Sequence, residues 1–411
     1  MKIDLDRLME ARGLDALLVT GASQNNPDMY YFTGGAHLTG GDLLKKRGAN
    51  PVLFFNSMER DEAARTGLQT RPLDVFEYQK LLKEAGDLPA RAYARRYQLM
   101  LVSVGFTRGR LGVYGQVPVG EYYAIFQELQ NLLSEVEIVG EGSNSVLLKA
   151  RATKDEQEIQ RMREIGLVTT EVVGRVADFL SSQRGKDNVL VDKDGQPITI
   201  GAVKSRINLW LAEKGAENPE GTIFAIGRDA GVPHSVGKAD DLLHLGQTIV
   251  FDIFPCEGGG GYYYDFTRTW CLGYAPDEVQ ALYSDVASVY RTIMDELKMG
   301  ERCRPYQVRT CELFESQGHP TVQSNPKTQE GYVHGLGHGL GLAVHEAPAF
   351  GTAATDEDRL EAGVVVTIEP GLYYPERGMG CRLEDSVWVR PDGQFEILAP
   401  YPHDLVLPVK Q

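Results

Sequence analysis

The chain has 411 residues, 42% of them hydrophobic and 24% charged, with a formal charge of −15. That length suits two domains, and the composition excludes both a disordered and a fibrous chain. The acidic balance would repel a phosphate backbone, so nucleic acid is set aside, and Arg91, Arg95 and Arg96 read as a solvated helix face.

Met1 to Gly13 reads as a charged amphipathic helix with no signal-peptide apolar core. From Leu14 to about Val139, short apolar runs alternate with helix-like segments: Ala16 to Val19, Met29 to Phe32, Val52 to Phe55 and Leu111 to Tyr114. This alternation predicts an α/β domain with a parallel or mixed sheet. The pattern changes near residue 150, which sets the expected boundary: one domain over 1–150 and a second over 151–411. The second opens on a long helix, with Ile159, Met162, Ile165, Val168, Val172, Val176 and Phe179 on one stripe. Ser182 to Pro197 reads as a turn or hairpin, and Asp277 to Met299 as another amphipathic helix.

No apolar run reaches the 18 residues of a membrane span. The five cysteines are scattered and odd in number, which fits a reducing compartment. The expectation is a soluble cytoplasmic protein with no membrane or nucleic-acid partner.

Two segments of the second domain echo each other. Thr248 to Phe251 is an apolar strand ending in Asp252, with Asp265 following 13 residues later. Val364 to Ile368 ends in Glu369, with Glu384 following 15 residues later. Two hairpin-like units carrying two acids each predict a pseudo-symmetric α+β domain. A carboxylate in an apolar strand loses several kcal/mol of hydration, so it needs a compensating partner. For Asp252 alone, backbone amides or Arg268 serve as well as a cation; the repetition of the pattern favours cations.

Of eight histidines, His334, His338 and His345 fall within one Gly-rich stretch from Val333 to Pro348. Its glycines match neither a dinucleotide fingerprint nor a P-loop. Gly258 to Gly261 reads as a hairpin tip.

These residues together resemble the pita-bread metallopeptidases, in their aminopeptidase P and prolidase branch. Asp15 to Gly35 looks like the start of a creatinase-type N-terminal domain, and 152 to 405 like the catalytic domain. The resemblance implies an α/β creatinase-like domain followed by an α+β pita-bread domain with a pseudo-two-fold internal repeat. It implies two divalent metals bound by Asp252, Asp265, His338, Glu369 and Glu384, with Asp265 and Glu384 bridging. An oxygen-rich set suits Mn²⁺, with Co²⁺, Fe²⁺ or Zn²⁺ compatible. Such cations acidify water and polarise the scissile carbonyl.

By the same resemblance Glu369 is the general base, His345 stabilises the oxyanion or orients the carbonyl, and His234 binds substrate. His334 and Arg382 match the proline side of the pocket, although Arg382 equally fits a partner for a ligating carboxylate. Phe254-Pro255-Cys256 lengthens the first hairpin relative to the family pattern, with Cys256 read as a buried spectator.

The expected activity is an Xaa-Pro aminopeptidase acting on small peptides with proline second, in a homodimer or homotetramer. The alternatives are an Xaa-Pro dipeptidase and, more distantly, a creatinase-like amidinohydrolase or a non-catalytic peptide-binding relative.

Overall fold

The computed structural model describes residues 4–351 and 354–410. It divides into two units, residues 1–151 with 259–261, and 152–258 with 262–411.

The first unit is built on a six-stranded sheet: β1 (Ala16–Gly21), β2 (Gly41–Lys46), β3 (Val52–Phe55), β4 (Gln69–Pro72), β5 (Gly109–Gly115) and β6 (Val136–Gly140). The order is β4-β3-β2-β1-β5-β6. β1, β5 and β6 run parallel, while β2 is antiparallel to both β1 and β3. Successive side chains point to opposite faces, so Leu17, Val19, Leu43 and Leu53 enter one core while Ala16, Leu18, Leu44 and Phe54 enter the other. Burial on both faces explains why these strands read as continuous apolar runs. The second core is closed by α1 (Pro89–Ser103) and α2 (Val119–Leu132), through Tyr97, Met100, Ile125 and Leu129.

Two expectations change here. Met29 to Phe32 is helical, within Pro27–Thr33: Asn26 caps it by accepting from the Met29 amide, Pro27 fits the first turn, and left-handed Gly34 ends it. Arg96 is not solvated; its side chain is only 12% exposed and lies over the Tyr93 ring, 4.5 Å from the centroid. Arg91 and Arg95 are exposed as expected.

In the second unit, α3 (Glu156–Ser181) starts at a capping box formed by Asp155 and Glu158 and buries the predicted stripe through Ile159, Met162, Ile165, Val172 and Val176. The 182–197 segment forms the hairpin Arg184–Lys186/Val189–Val191. α4 (Asp277–Glu296) packs Val279, Leu282, Val286 and Ile293 into a core of this unit.

Two antiparallel hairpins organise the rest. One pairs β7 (Thr248–Ile253) with β8 (Phe266–Leu272), in a sheet that also holds Thr222–Ile226 and Val406–Leu407. The other pairs β9 (Val365–Ile368) with β10 (Asp385–Val389), in a sheet that also holds His338–Gly339, Glu346–Ala349 and Phe395–Ile397. A bridge between Thr267 and Glu384 stitches the hairpins together. Their apolar strands end in acids at the same place, as the sequence echo anticipates. No helix among the described residues is long and apolar enough to cross a membrane.

Candidate metal centre

Where the hairpins meet, a cavity of about 450 Å³ opens, and every sequence-predicted site residue lines it: His234, Asp252, Asp265, His334, His338, His345, Glu369, Arg382 and Glu384. Ligand atoms of Asp265, His338 and Glu384 lie within 4.8 Å of one another. His338 Nε2 is 3.6 Å from Asp265 Oδ2 and 3.5 Å from Glu369 Oε1.

Register places these groups. Asp252 faces Thr267 across the first hairpin, and Thr267 faces Glu384 across the bridge, so the three form a row. Thr267 Oγ1 donates to Glu384 Oε2 at 2.6 Å. In the second hairpin Thr367 Oγ1 donates to Glu369 Oε1 at 3.3 Å and accepts from the His338 amide at 3.1 Å. Each hairpin thus carries a threonine that orients an acid: Thr367 holds Glu369, two residues on and on the same face, while Thr267 holds Glu384 across the bridge. Neither threonine was singled out from sequence. Their signal was available: Thr367 stands two residues before Glu369, and Thr267 two after Asp265.

Asp252 is not satisfied by Arg268. The neighbouring register position turns Arg268 to the opposite face, where it holds Asp385 at 2.8 Å and donates to carbonyls of Tyr401 and Pro402. Arg382 is the partner instead: its Nη2 lies 2.5 Å from Asp252 Oδ2, while its Nη1 donates to Tyr373 Oη at 2.7 Å. Tyr373 Oη also contacts His334 Nε2 at 2.8 Å, whose Nδ1 donates to the Gly335 carbonyl. Arg382, Tyr373 and His334 therefore form one hydrogen-bonded wall, whose cavity face is Arg382 and His334. Cys256 is buried outside the cavity lining, its thiol pushed up to about 11 by burial. Glu220, exposed, and Phe254 also line the cavity; the sequence offered no signal for Glu220.

The electrostatics ask for cations. Burial, then the charges of Asp252 and Glu369, push the Asp265 carboxyl far above its ordinary range; burial and Asp265 do the same to Glu384. Burial raises Glu369 to about 8 against the pull of Arg382. His338 falls to about 3 because it is buried beside His345, and is neutral at pH 7. Its Nδ1 donates to the Gly339 carbonyl, so the unprotonated Nε2 faces carboxylate oxygens, an acceptor among acceptors. Asp252 Oδ1 is buried with no hydrogen-bond partner among the described residues. Orphaned acceptors converging in one buried place fit divalent metal ions, since such ions supply what the residues lack.

An α/β unit and, in the same chain, a two-hairpin α+β unit with converging acids define a metal-dependent hydrolase. Residues 160–391 match the model of metallopeptidase family M24, and residues 4–152 match the creatinase/prolidase N-terminal domain. The chain belongs to metallopeptidase family M24. It is 24% identical over 387 residues to the Xaa-Pro dipeptidase of Pyrococcus horikoshii, covering 94% of this chain and 93% of that one. To the Xaa-Pro dipeptidase of Pyrococcus furiosus it is 24% identical over 400 residues, covering 96% and 97%. Among solved structures, a Pyrococcus horikoshii dipeptidase superposes with a TM-score of 0.74 at 21% identity, covering 98% of both chains. An X-Pro aminopeptidase from Thermotoga maritima superposes at 0.73 and 21% identity, covering 97% of this chain and 99% of that one.

Proposed function

We propose that this chain is an Xaa-Pro dipeptidase that binds two divalent metals through Asp252, Asp265, His338, Glu369 and Glu384. The observation that carries the metal reading is the acceptor cluster: four carboxylates, one of them with the orphaned Asp252 Oδ1, converge in one cavity with the unprotonated His338 Nε2. The full-length relatives named Xaa-Pro dipeptidase favour a dipeptide substrate over the longer peptides of the aminopeptidase reading preferred from sequence. A cavity of about 450 Å³ is of the size that encloses a small ligand.

Bound metals would supply Lewis acidity toward water and the scissile carbonyl. The oxygen-rich set favours Mn²⁺, with Co²⁺, Fe²⁺ and Zn²⁺ as competitors. Around them the chain's own groups divide the work. Glu369 Oε takes a proton as water oxygen adds to the carbonyl carbon, and returns it to the proline nitrogen as the C–N bond breaks. His345, kept neutral by burial, and His234 orient the carbonyl and the peptide. The Arg382, Tyr373 and His334 wall receives the proline side; Arg382 holds Asp252 and lines the pocket at once, so its two sequence readings are compatible.

We assign residues 1–150 to the creatinase-like domain and 151–411 to catalysis, and place the protein in the cytoplasm as a homodimer or homotetramer. All five cysteines are unpaired and buried, in keeping with a reducing compartment. Light scattering after size exclusion checks the assembly.

Metal-stripped protein assayed with Xaa-Pro dipeptides and Xaa-Pro-Yaa tripeptides, with and without Mn²⁺, tests the activity. Mn²⁺-dependent cleavage confined to dipeptides is expected, with Asp265→Asn inactive. Efficient tripeptide cleavage restores the aminopeptidase reading, and no cleavage of either by metal-loaded protein refutes both.

A further inference from the structure

We propose that the first unit carries a second small-molecule site, for a free α-amino acid bound as its zwitterion, between Asp42 and Arg96. This site is independent of the peptidase reading, because every residue that forms it belongs to the first unit.

The strand order places it. The chain leaves β1 toward β2, β3 and β4 on one side, then returns to lay β5 and β6 on the other. β1 and β5 are thus parallel neighbours whose connections depart in opposite directions, the switch point at which open α/β sheets leave a crevice beyond their carboxyl ends. Here the crevice is a cavity of about 420 Å³, lined at the ends of β1 and β5 by Gly21, Gln116 and Val117. Glycine keeps these ends close: a Cβ on Gly21 would sit 2.7 Å from the Gln116 carbonyl oxygen.

Two charged side chains line the cavity, one acid and one base. Asp42 is 3% exposed; its Oδ1 accepts from Thr20 Oγ1 and Tyr97 Oη, both at 2.7 Å. Its Oδ2 is left 3.6 Å from Arg96 Nη2, too far for a hydrogen bond. Arg96 is the unusual group. Its guanidinium is held by tyrosine rings, with centroids at 4.5 Å (Tyr93), 5.6 Å (Tyr78) and 6.0 Å (Tyr97), yet among the described residues it makes no hydrogen bond. Its Nε is fully buried without a partner.

A guanidinium presents five N–H donors in a planar fork that matches a carboxylate. Stacking on tyrosine fixes the plane of that fork without using any donor, so Arg96 faces the Asp42 charge at 3.6 Å with its N–H groups still to be matched. A purely anionic ligand such as phosphate would meet Arg96 but stand against Asp42. A purely cationic one would meet the reverse. A zwitterion with both charges on one carbon satisfies the two together: its carboxylate takes Arg96, and its ammonium takes Asp42 Oδ2. Leu73, Val117 and Pro118 supply an apolar part of the lining for a side chain.

The test is isothermal titration of the metal-loaded full chain with L-leucine, L-proline, L-glutamate and L-lysine, beside leucinamide, N-acetyl-leucine and inorganic phosphate. At least one free amino acid is expected to bind, with the amide and the N-acetyl form failing. Affinity should fall at least about tenfold in Arg96→Gln, the loss of a charge-assisted pair. Gly40→Leu is the second variant: Gly40 lines the cavity, and an added Cβ meets no atom within 4 Å, so the substitution adds bulk at the cavity's edge without a clash. Its affinity should fall likewise, while both variants keep wild-type peptidase rates without added amino acid. Unchanged binding in both variants, no binding of any amino acid, or Arg96-dependent binding of phosphate alone would overturn the proposal.

Discussion

Asp252 stands inside an apolar strand with one oxygen on Arg382 and the other, among the described residues, without a partner, and Arg382 is itself 3% exposed. Removing one member of a buried pair leaves a charge uncompensated, which costs about 3–5 kcal/mol. Arg382→Met is therefore expected to lower the melting temperature of the metal-free protein by several degrees and to weaken substrate binding. An unchanged Tm would show that Asp252 finds another partner. Asp265→Asn and Glu384→Gln should instead cost metal content, measured by elemental analysis after dialysis, because each removes a charged oxygen from the cluster. At this scale the acids were legible because a carboxylate has no business in an apolar strand unless something answers it. Which cation answered Asp252 was not. Arg268 and Arg382 are equally plausible in one dimension, and only the strand register, Phe251 against Arg268 and Asp252 against Thr267, sends Arg268 to the other face.

The Gly-rich segment around His338 shows the same logic for an element. A Cβ on Gly337 would lie 1.9 Å from the Thr367 carbonyl oxygen, and one on Gly339 2.0 Å from that of Ala347. The segment passes between two strands at backbone contact, and this places His338 Nε2 against the acids. Gly337→Ala must push the segment away, so a fall in Tm together with lost metal affinity is expected. Gly335→Ala is the matched control: its Cβ would approach only Gly351, at 3.4 Å, and should be tolerated. Retention of metal by Gly337→Ala would mean that the segment's closeness does not position His338. Close-set glycines announced a tight approach in the sequence, but the carbonyls approached belong to residues distant in the chain. The helix over 27–33 was missed for a different reason. Its apolar run is too short for periodicity to decide, and Asn26, Pro27 and Gly34, the punctuation that does decide, was outweighed by the run itself.

For the molecule as a whole, the two-unit architecture and the gathering of acids and histidines in one cavity were readable because apolar runs, acids and histidines recur in a fixed order. The limit on peptide length was not, because it depends on what bounds the cavity at a distance, and no spacing encodes that. The same cavity sets a global dependence of stability on pH. Without metal, Asp265, Glu384 and Glu369 have carboxyls raised above their ordinary range, Glu369 from 4.5 to about 8. A group whose folded pKa is raised contributes stability that is complete below its unfolded value and is lost as pH rises through the folded one. Metal-free protein should therefore melt at progressively lower temperature between about pH 4.5 and pH 8. Metals bind the deprotonated carboxylates, so loading at neutral pH should expel protons and reverse the trend. Melting curves in chelator and in Mn²⁺ across this window, with proton release recorded in weak buffer, check both parts. The gap between loaded and stripped Tm is expected to widen with pH. A constant gap with no proton release would mean that the carboxylates are already ionised in the empty site, held by Arg382 and solvent and not by protons.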